Sequence, residues 1–138
     1  MGVDYALLID RLCMASLVVW SGAEKAFDLH GAAAFAASRG VPFALELMPL
    51  AALFEIICGL LLVIGWRTRP VALALALWMA VLGPWFHPFW ATPPPMWQLM
   101  IDDFFHHLVM IGGMIYLAVC GPGRIALSPA RLAGRQGH

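Results

Sequence analysis

Charge is what this chain most conspicuously lacks. Asp, Glu, Lys and Arg make up only 12% of its 138 residues, whereas soluble domains carry about 25%. Half the usual charge cannot coat a water-facing surface of this size, which excludes a soluble globular domain. Eight basic and eight acidic residues cancel, so no cationic surplus is available to hold phosphates and nucleic acid is excluded as a partner. Cysteine is sparse as well. Cys13, Cys58 and Cys120 are odd in number, form no Cys-x-x-Cys and sit in apolar runs, which excludes a disulfide framework. A buried Cys ordinarily acts as a small hydrophobe, and the sequence assigns these three no further role. A nucleotide-binding glycine loop, a nucleophile elbow and a zinc-protease His-Glu-x-x-His are all missing, as is any internal repeat.

What fills the chain instead is hydrophobic residue, 62% of the total, at a mean hydropathy of +0.84. A membrane-spanning helix needs about 20 mostly apolar residues. Four stretches qualify, spanning approximately 5–23, 43–66, 70–86 and 101–120. The expected fold is therefore all-α: an integral membrane four-helix bundle, one domain over 1–138, with a tail from 121 to 138. Gly65-Trp66-Arg67-Thr68-Arg69-Pro70 supplies a helix stop followed by a helix-starting Pro, so spans two and three should form a tight antiparallel hairpin. The run from Pro84 to Pro95, with Pro88, Pro93 and Pro94 between, reads as an irregular loop. Ala26 to Gly40 is too short and polar to cross and suits a short interfacial helix between spans one and two. A cleaved signal peptide does not fit the first span, which lacks a basic start and carries Asp4 and Asp10.

Orientation follows from the basic residues. Arg67, Arg69, Arg124, Arg131 and Arg135 fall on the side of the two termini, against Lys25 and Arg39 on the other. The positive-inside rule then places both termini in the cytoplasm of a bacterial inner (plasma) membrane protein, with Trp20, Trp85, Trp90 and Trp97 at the outer interface.

An ionisable residue at the bilayer centre costs about 2.5–3.5 kcal/mol, so it requires a partner or a function. Asp10, Arg11, Met14, Ser21, Glu24 and Lys25 share one broad arc of span one and should face the interior. Counted along each helix from the inner end, Arg11 lies roughly 9 Å and Glu55 roughly 16 Å deep. Those depths predict an intramembrane Arg11–Glu55 pair, with Asp10 competing for Arg11. Such a pair can serve helix register alone or take part in function. Gly59, Gly112 and Gly113 read as close helix contacts.

Span four opens with Asp102-Asp103-Phe104-Phe105-His106-His107, two Asp/His pairs at i,i+4 on one face. With His87, His30 and Glu24 at similar depth, they would line a polar pocket in the outer half of the bundle. Three readings follow. These groups hold a divalent metal; or they hydrogen-bond a quinone or other redox ligand and relay its protons; or they are interfacial residues facing headgroups and water. The residues alone do not decide among them, nor whether the chain is an enzyme.

The arrangement of several residues resembles the DoxX family. Arg11 in span one with Ser21-Gly22 and Glu24-Lys25 closing it is one part. Glu55 and Gly59 leading to Gly65-Trp66-Arg67-Thr68-Arg69, an Asp opening span four, and the closing Gly121-Pro122-Gly123-Arg124 complete it. The tail departs from that pattern, keeping Ser128 without the Asp that follows it, and the Asp102-Asp103…His106-His107 pattern lies outside it. The resemblance implies a four-span bacterial inner-membrane protein connected with membrane redox complexes. The expected function is then a quinone-linked redox subunit or anchor of a membrane oxidoreductase, with a redox enzyme partner and a homodimer as the compatible assemblies in the lipid bilayer. The alternatives are a non-enzymatic scaffold docking through Arg67, Arg69 and Arg124, or a metal-handling protein using His87, His106, His107 and Asp103. Four short spans without an inverted repeat are a small frame for a transporter.

Overall fold

In lipid the backbone must satisfy its own polar groups, so long apolar runs become helices. The computed structural model describes residues 2–127. In chain order these form α1 (Gly2–Phe27), α2 (Leu29–Ser38), α3 (Ala44–Ile64), α4 (Thr68–Phe86), a single 3₁₀ turn (Phe89–Ala91) and α5 (Trp97–Cys120). Among the described residues α1, α3, α4 and α5 are long and apolar enough to cross a bilayer. The fold is an all-α bundle of four spans, with α2 inserted between the first two. The tail beyond Leu127, with Ser128, Arg131 and Arg135, lies outside the described residues.

Helix ends follow local chemistry. Gly65, at φ +76°, closes α3; its N–H bonds the Leu62 carbonyl at 3.1 Å while Trp66 N–H reaches back to Leu61 at 2.9 Å, the double closure of a Schellman turn. Arg67, also left-handed at φ +46°, turns the chain straight into α4. Asp28 caps α2 by accepting the Gly31 N–H at 2.8 Å. The expected loop from Pro84 needs correction: α4 runs through Pro84 to Phe86, and Phe89–Ala91 form a helical turn. Pro84 stands in the last turn of α4, where one lost N–H bond does not break the helix behind it.

Most contact between helices lies in two pairs, α1 with α3 and α4 with α5, while α3 and α4 touch less. Leu7, Arg11, Ala15, Val18 and Gly22 form the buried stripe of α1 at three- and four-residue spacing. Ala15, Val18, Leu62, Ala72, Leu75, Met114 and Leu117 meet in the centre. Residues such as Leu53, Leu60, Leu77, Val109 and Val119 point outward, as lipid-facing residues do. At the end of the bundle away from the N-terminus α2 packs against α3, with Phe35 stacked on Phe86 of α4 and the Trp85 indole donating to the Arg39 carbonyl at 3.0 Å.

Small residues set the α1–α3 distance. A Cβ on Gly22 would lie 2.9 Å from the Ala52 carbonyl oxygen and 2.9 Å from Ile56 Cγ1. Gly59 is equally tight, against Val19, and Gly113 packs on Met14. Gly112, expected as a close contact, instead faces open space. Gly22→Ala should therefore destabilise the bundle by about 1–3 kcal/mol through overpacking. Gly112→Ala should be neutral or stabilising by up to about 1 kcal/mol, since it only raises helix propensity. Thermal unfolding of both variants in the same detergent checks the contrast.

Candidate functional site

Two buried polar centres lie at different depths, and they divide the residues differently from the sequence expectation. The predicted Arg11–Glu55 pair does not form. Arg11 is 1% exposed. It donates from Nη1 to the Pro122 carbonyl and from Nη2 to the Ile125 carbonyl, each at 2.8 Å. Its guanidinium also touches Gly65, where a Cβ would collide with it. The C-terminal ends of α3 and α5 both lie here, and a cation is favoured beside such carbonyl-rich ends. The segment after α5 is folded back under the bundle by Gly121 and Gly123, both at positive φ. Leu127 N–H bonds the Ile64 carbonyl at 2.9 Å and Arg124 N–H bonds Asp4 at 2.7 Å. Asp10, the expected competitor, is only half-buried and makes no hydrogen bond to Arg11. Arg11 is thus a clamp on the 121–127 segment.

Glu55 belongs to the second centre. It is 4% exposed, and its Oε2 accepts from Lys25 Nζ at 2.8 Å while Oε1 accepts from the Trp78 indole at 3.0 Å. Lys25 also donates to the Ser21 hydroxyl at 2.6 Å and to the Ser21 carbonyl at 3.3 Å. All donors of Lys25 and Trp78 and both oxygens of Glu55 are therefore engaged. Sequence reasoning placed Lys25 on the right arc but gave Glu55 the wrong partner, and missed Trp78 because a lone Trp in an apolar span carries no polar signal.

Above this centre is a cavity of about 550 Å³. Ser21, Glu24, Lys25 and Asp28 of α1 and its end line one side, Glu55 and Trp78 the floor, Phe35 of α2 and Phe86 the outer side, and His87 and His107 the far wall. A second cavity of about 500 Å³ adjoins it between α3 and α4, lined almost wholly by apolar residues. Lys25, Met48, Trp78, Leu82 and Phe86 line both. Both linings are mostly apolar, and the first adds the polar groups of Ser21, Glu24, Lys25, Glu55, His87 and His107.

The sequence-predicted outer cluster is only partly assembled. His87 and His107 rings lie 4.8 Å apart and line the cavity with Glu24. Asp103 stands behind them, 3.5 Å from His87 Nδ1 and 4.0 Å from His106 Nδ1. His87 Nδ1 is buried without a hydrogen bond, the Asp103 carboxylate being near but not aligned. His107 Nδ1 bonds the Asp103 carbonyl at 3.0 Å. A carbonyl only accepts, so Nδ1 carries a proton. His106, with a side chain 77% exposed, does not join the cavity, and neither does Asp102, which accepts from Gln98 at 3.2 Å. His30 is exposed outside it. Helical spacing put His106 and His107 on one arc, but 100° between them is enough to send one inward and one outward.

Among the described residues no three His, Cys, Asp or Glu side chains are grouped to hold a metal ion. His107 turns its Nδ1 to a backbone carbonyl and His106 turns outward, which explains why the four expected ligands do not converge. Cys58 is buried and Cys13 and Cys120 are exposed, and none of the three lines either cavity.

The profile of the DoxX family matches residues 6–88, which include Arg11, Lys25, Glu55, Trp78 and His87. The chain is 30% identical over 124 residues to inner membrane protein YphA of Escherichia coli, covering 88% of this chain and 86% of YphA. It is also 30% identical to inner membrane protein YqjF of the same organism, over 90% of each chain. A shorter similarity, 30% over 69 residues, reaches the Surfeit locus protein 4 homolog of Drosophila melanogaster, covering 49% of this chain and 26% of that one. No solved structure matches the chain.

Proposed function

This chain belongs to the DoxX family of integral membrane proteins, and from that premise we propose that it is a quinone-binding redox subunit of the bacterial inner membrane. The observation that carries the reading is a pair of cavities that share lining residues: one with Lys25, Glu55, Trp78, His87 and His107 set in a mostly apolar lining, the other almost wholly apolar. A quinone has the same division, a polar ring on an apolar tail. Ligand sites of roughly 300–1,000 Å³ with a few convergent polar groups are the usual size for such molecules. The two chambers together provide for ring and first tail units, the rest of the tail lying between helices or in lipid. On this reading electrons pass to or from a redox enzyme partner. YphA and YqjF, both named as inner membrane proteins, support the location, and exposed Arg67 and Arg69 at one end support both termini facing the cytoplasm.

Leu82, half-buried between the two chambers, provides the test. Leu82→Trp fills their common wall with a larger apolar side chain. Purified in mild detergent from a quinone-containing host, the parent protein should carry quinone detectable by extraction and mass spectrometry. Leu82→Trp should carry at least tenfold less, at an unchanged elution volume. Equal quinone in both, or none in the parent protein reconstituted with excess quinone, overturns the reading.

A further inference from the structure

Part of the wall of the apolar cavity is the outside of the bundle. Leu47 and Leu50 of α3 and Val81 and Trp85 of α4 line it, and all four are exposed, Leu50 at 62% and Val81 at 60%. Side chains that line a cavity and also face outward mark its mouth. Counted from the helix ends at Ala44 and Phe86, Leu50 lies roughly 9 Å and Val81 roughly 8 Å along its span, so the two stand at matching depth in antiparallel helices. Both helices are long and apolar enough to cross the bilayer, and what faces this mouth is therefore lipid. The thin contact between α3 and α4, against the close α1–α3 and α4–α5 pairs, leaves the room for it.

The neighbouring cavity opens elsewhere. Glu24 and Asp28 line it and are exposed where α1 ends, at the end of the bundle away from the N-terminus. Carboxylates so placed face water. One mouth is thus apolar and lateral, the other polar and terminal, and Lys25, Met48, Trp78, Leu82 and Phe86 line both cavities between them.

Charge narrows what can fill both cavities from the lipid side. The head of such a ligand would come to rest near Glu24, Asp28 and Glu55, with Lys25 as the one ammonium on that lining. Lys25 already gives its hydrogens to Ser21 and Glu55. A phosphate head meets like charge there without a free donor, which is unfavourable. An uncharged ring on an apolar chain meets no such penalty.

We propose that the opening bounded by Leu47, Leu50, Val81 and Trp85 is a lateral portal, through which an isoprenoid chain carrying an uncharged ring passes from the bilayer into the site. This rests on the quinone reading above and adds the route by which the ligand arrives and the place where its chain lies. The ring is seated among the polar groups, and the chain leads back between α3 and α4 into lipid.

The test uses the full chain in vesicles of phosphatidylethanolamine and phosphatidylglycerol. The probes are a benzoquinone without a tail and the same ring bearing a long isoprenoid chain, with protein-bound ligand measured by extraction and mass spectrometry. Val81→Trp narrows the portal from its lipid-facing rim. It should hold at least tenfold less of the long-chain quinone and an amount of the tail-less one within about twofold of the parent. Val109→Trp adds the same bulk to an exposed position of α5 that lines neither cavity, and should match the parent with both probes. On the parent protein, a long-chain quinone with a diazirine on its second isoprenoid unit should label α3 and α4. That measurement decides the matter even where Val81→Trp fails to fold. Full retention of the long-chain quinone in Val81→Trp, or equal loss in Val109→Trp, overturns the portal and leaves the quinone site standing, as does labelling confined to α1 or α5. Loss of copurified phospholipid from Val81→Trp with the quinone retained assigns the opening to a lipid acyl chain and overturns the proposal. Failure of both probes to bind the parent overturns the quinone reading together with it.

Discussion

Arg11→Met should be among the most damaging substitutions in the spans, lowering stability by about 2–5 kcal/mol through the two carbonyls it leaves without a donor. The methionine keeps much of the volume of the arginine stem but leaves the Pro122 and Ile125 carbonyls without their donors. Each unsatisfied buried carbonyl costs about 1–3 kcal/mol. Loss should concentrate in the segment that Arg11 holds. Limited trypsin digestion should produce the fragment ending at Arg124 much faster in the variant, while cuts within the spans remain slow. Arg11→Lys should fall between, because an ammonium lacks the planar fork that reaches two carbonyls from one position. An unchanged melting temperature and an unchanged yield of the Arg124 fragment in Arg11→Met would show that the 121–127 segment stays docked without the guanidinium.

The reason Arg11 sits here, and not on Glu55, bears on how much of this molecule was readable beforehand. Spans, hairpin and bundle follow from run length, Gly65 and the apolar pattern, all properties of the chain alone. The pairing of charges depends on register between helices, which separate depth counts do not capture. In the antiparallel α1–α3 pair Arg11 faces Gly65, Val19 faces Gly59 and Gly22 faces Ala52 and Glu55. Each step back along α1 is a step forward along α3. From Arg11 to Gly22 is roughly 16 Å of helix, about twice the offset of roughly 7 Å between the two depth estimates, so Glu55, opposite Gly22, lies beyond Arg11 and within reach of Lys25. The glycines that fix this register were visible as small residues, but which groups they approach is a property of the packed pair.

The outer cluster was legible to a similar degree. Asp and His at i,i+4 correctly marked a polar face on α5, and His87 and His107 do meet across the α4–α5 contact. His107 turns inward over Gly83, where even a Cβ would make only ordinary contact at 3.4 Å, and its Nδ1 bond to the Asp103 carbonyl fixes the ring. Phe35 and Phe86 of the outer wall were unreadable as site residues because their role arises from α2 folding back onto α4. A short helix of Ala and Phe says nothing about its docking partner until its contacts with α3 and with Phe86 of α4 are formed.

Lys25 and Glu55 allow stability and ligand binding to be separated. Lys25→Met alone strands a carboxylate that is 4% exposed and should cost about 3–5 kcal/mol. Glu55→Met alone strands an ammonium with only Ser21 to satisfy it, and removes the acceptor of the Trp78 indole. Its cost should be somewhat smaller because Lys25 is a quarter exposed. The double variant replaces both charges by apolar side chains of similar length. It should recover to within about 1–2 kcal/mol of the parent, since a buried pair is often no more stabilising than a well-packed apolar replacement. Urea or thermal unfolding of the four proteins closes the cycle, with a coupling energy of at least about 3 kcal/mol following from these figures, at the top of the range for groups in direct contact. The decisive readout is what the recovered double variant binds. If the pair serves register alone, a protein restored to parental stability should retain its quinone. As the polar floor of the chamber, the pair also orients Trp78 and fixes which donors are already occupied. The double variant should then fold and elute normally yet hold at least tenfold less quinone. Full retention of quinone at recovered stability would make Lys25 and Glu55 structural and move the site's polar recognition entirely to the His87–His107 wall.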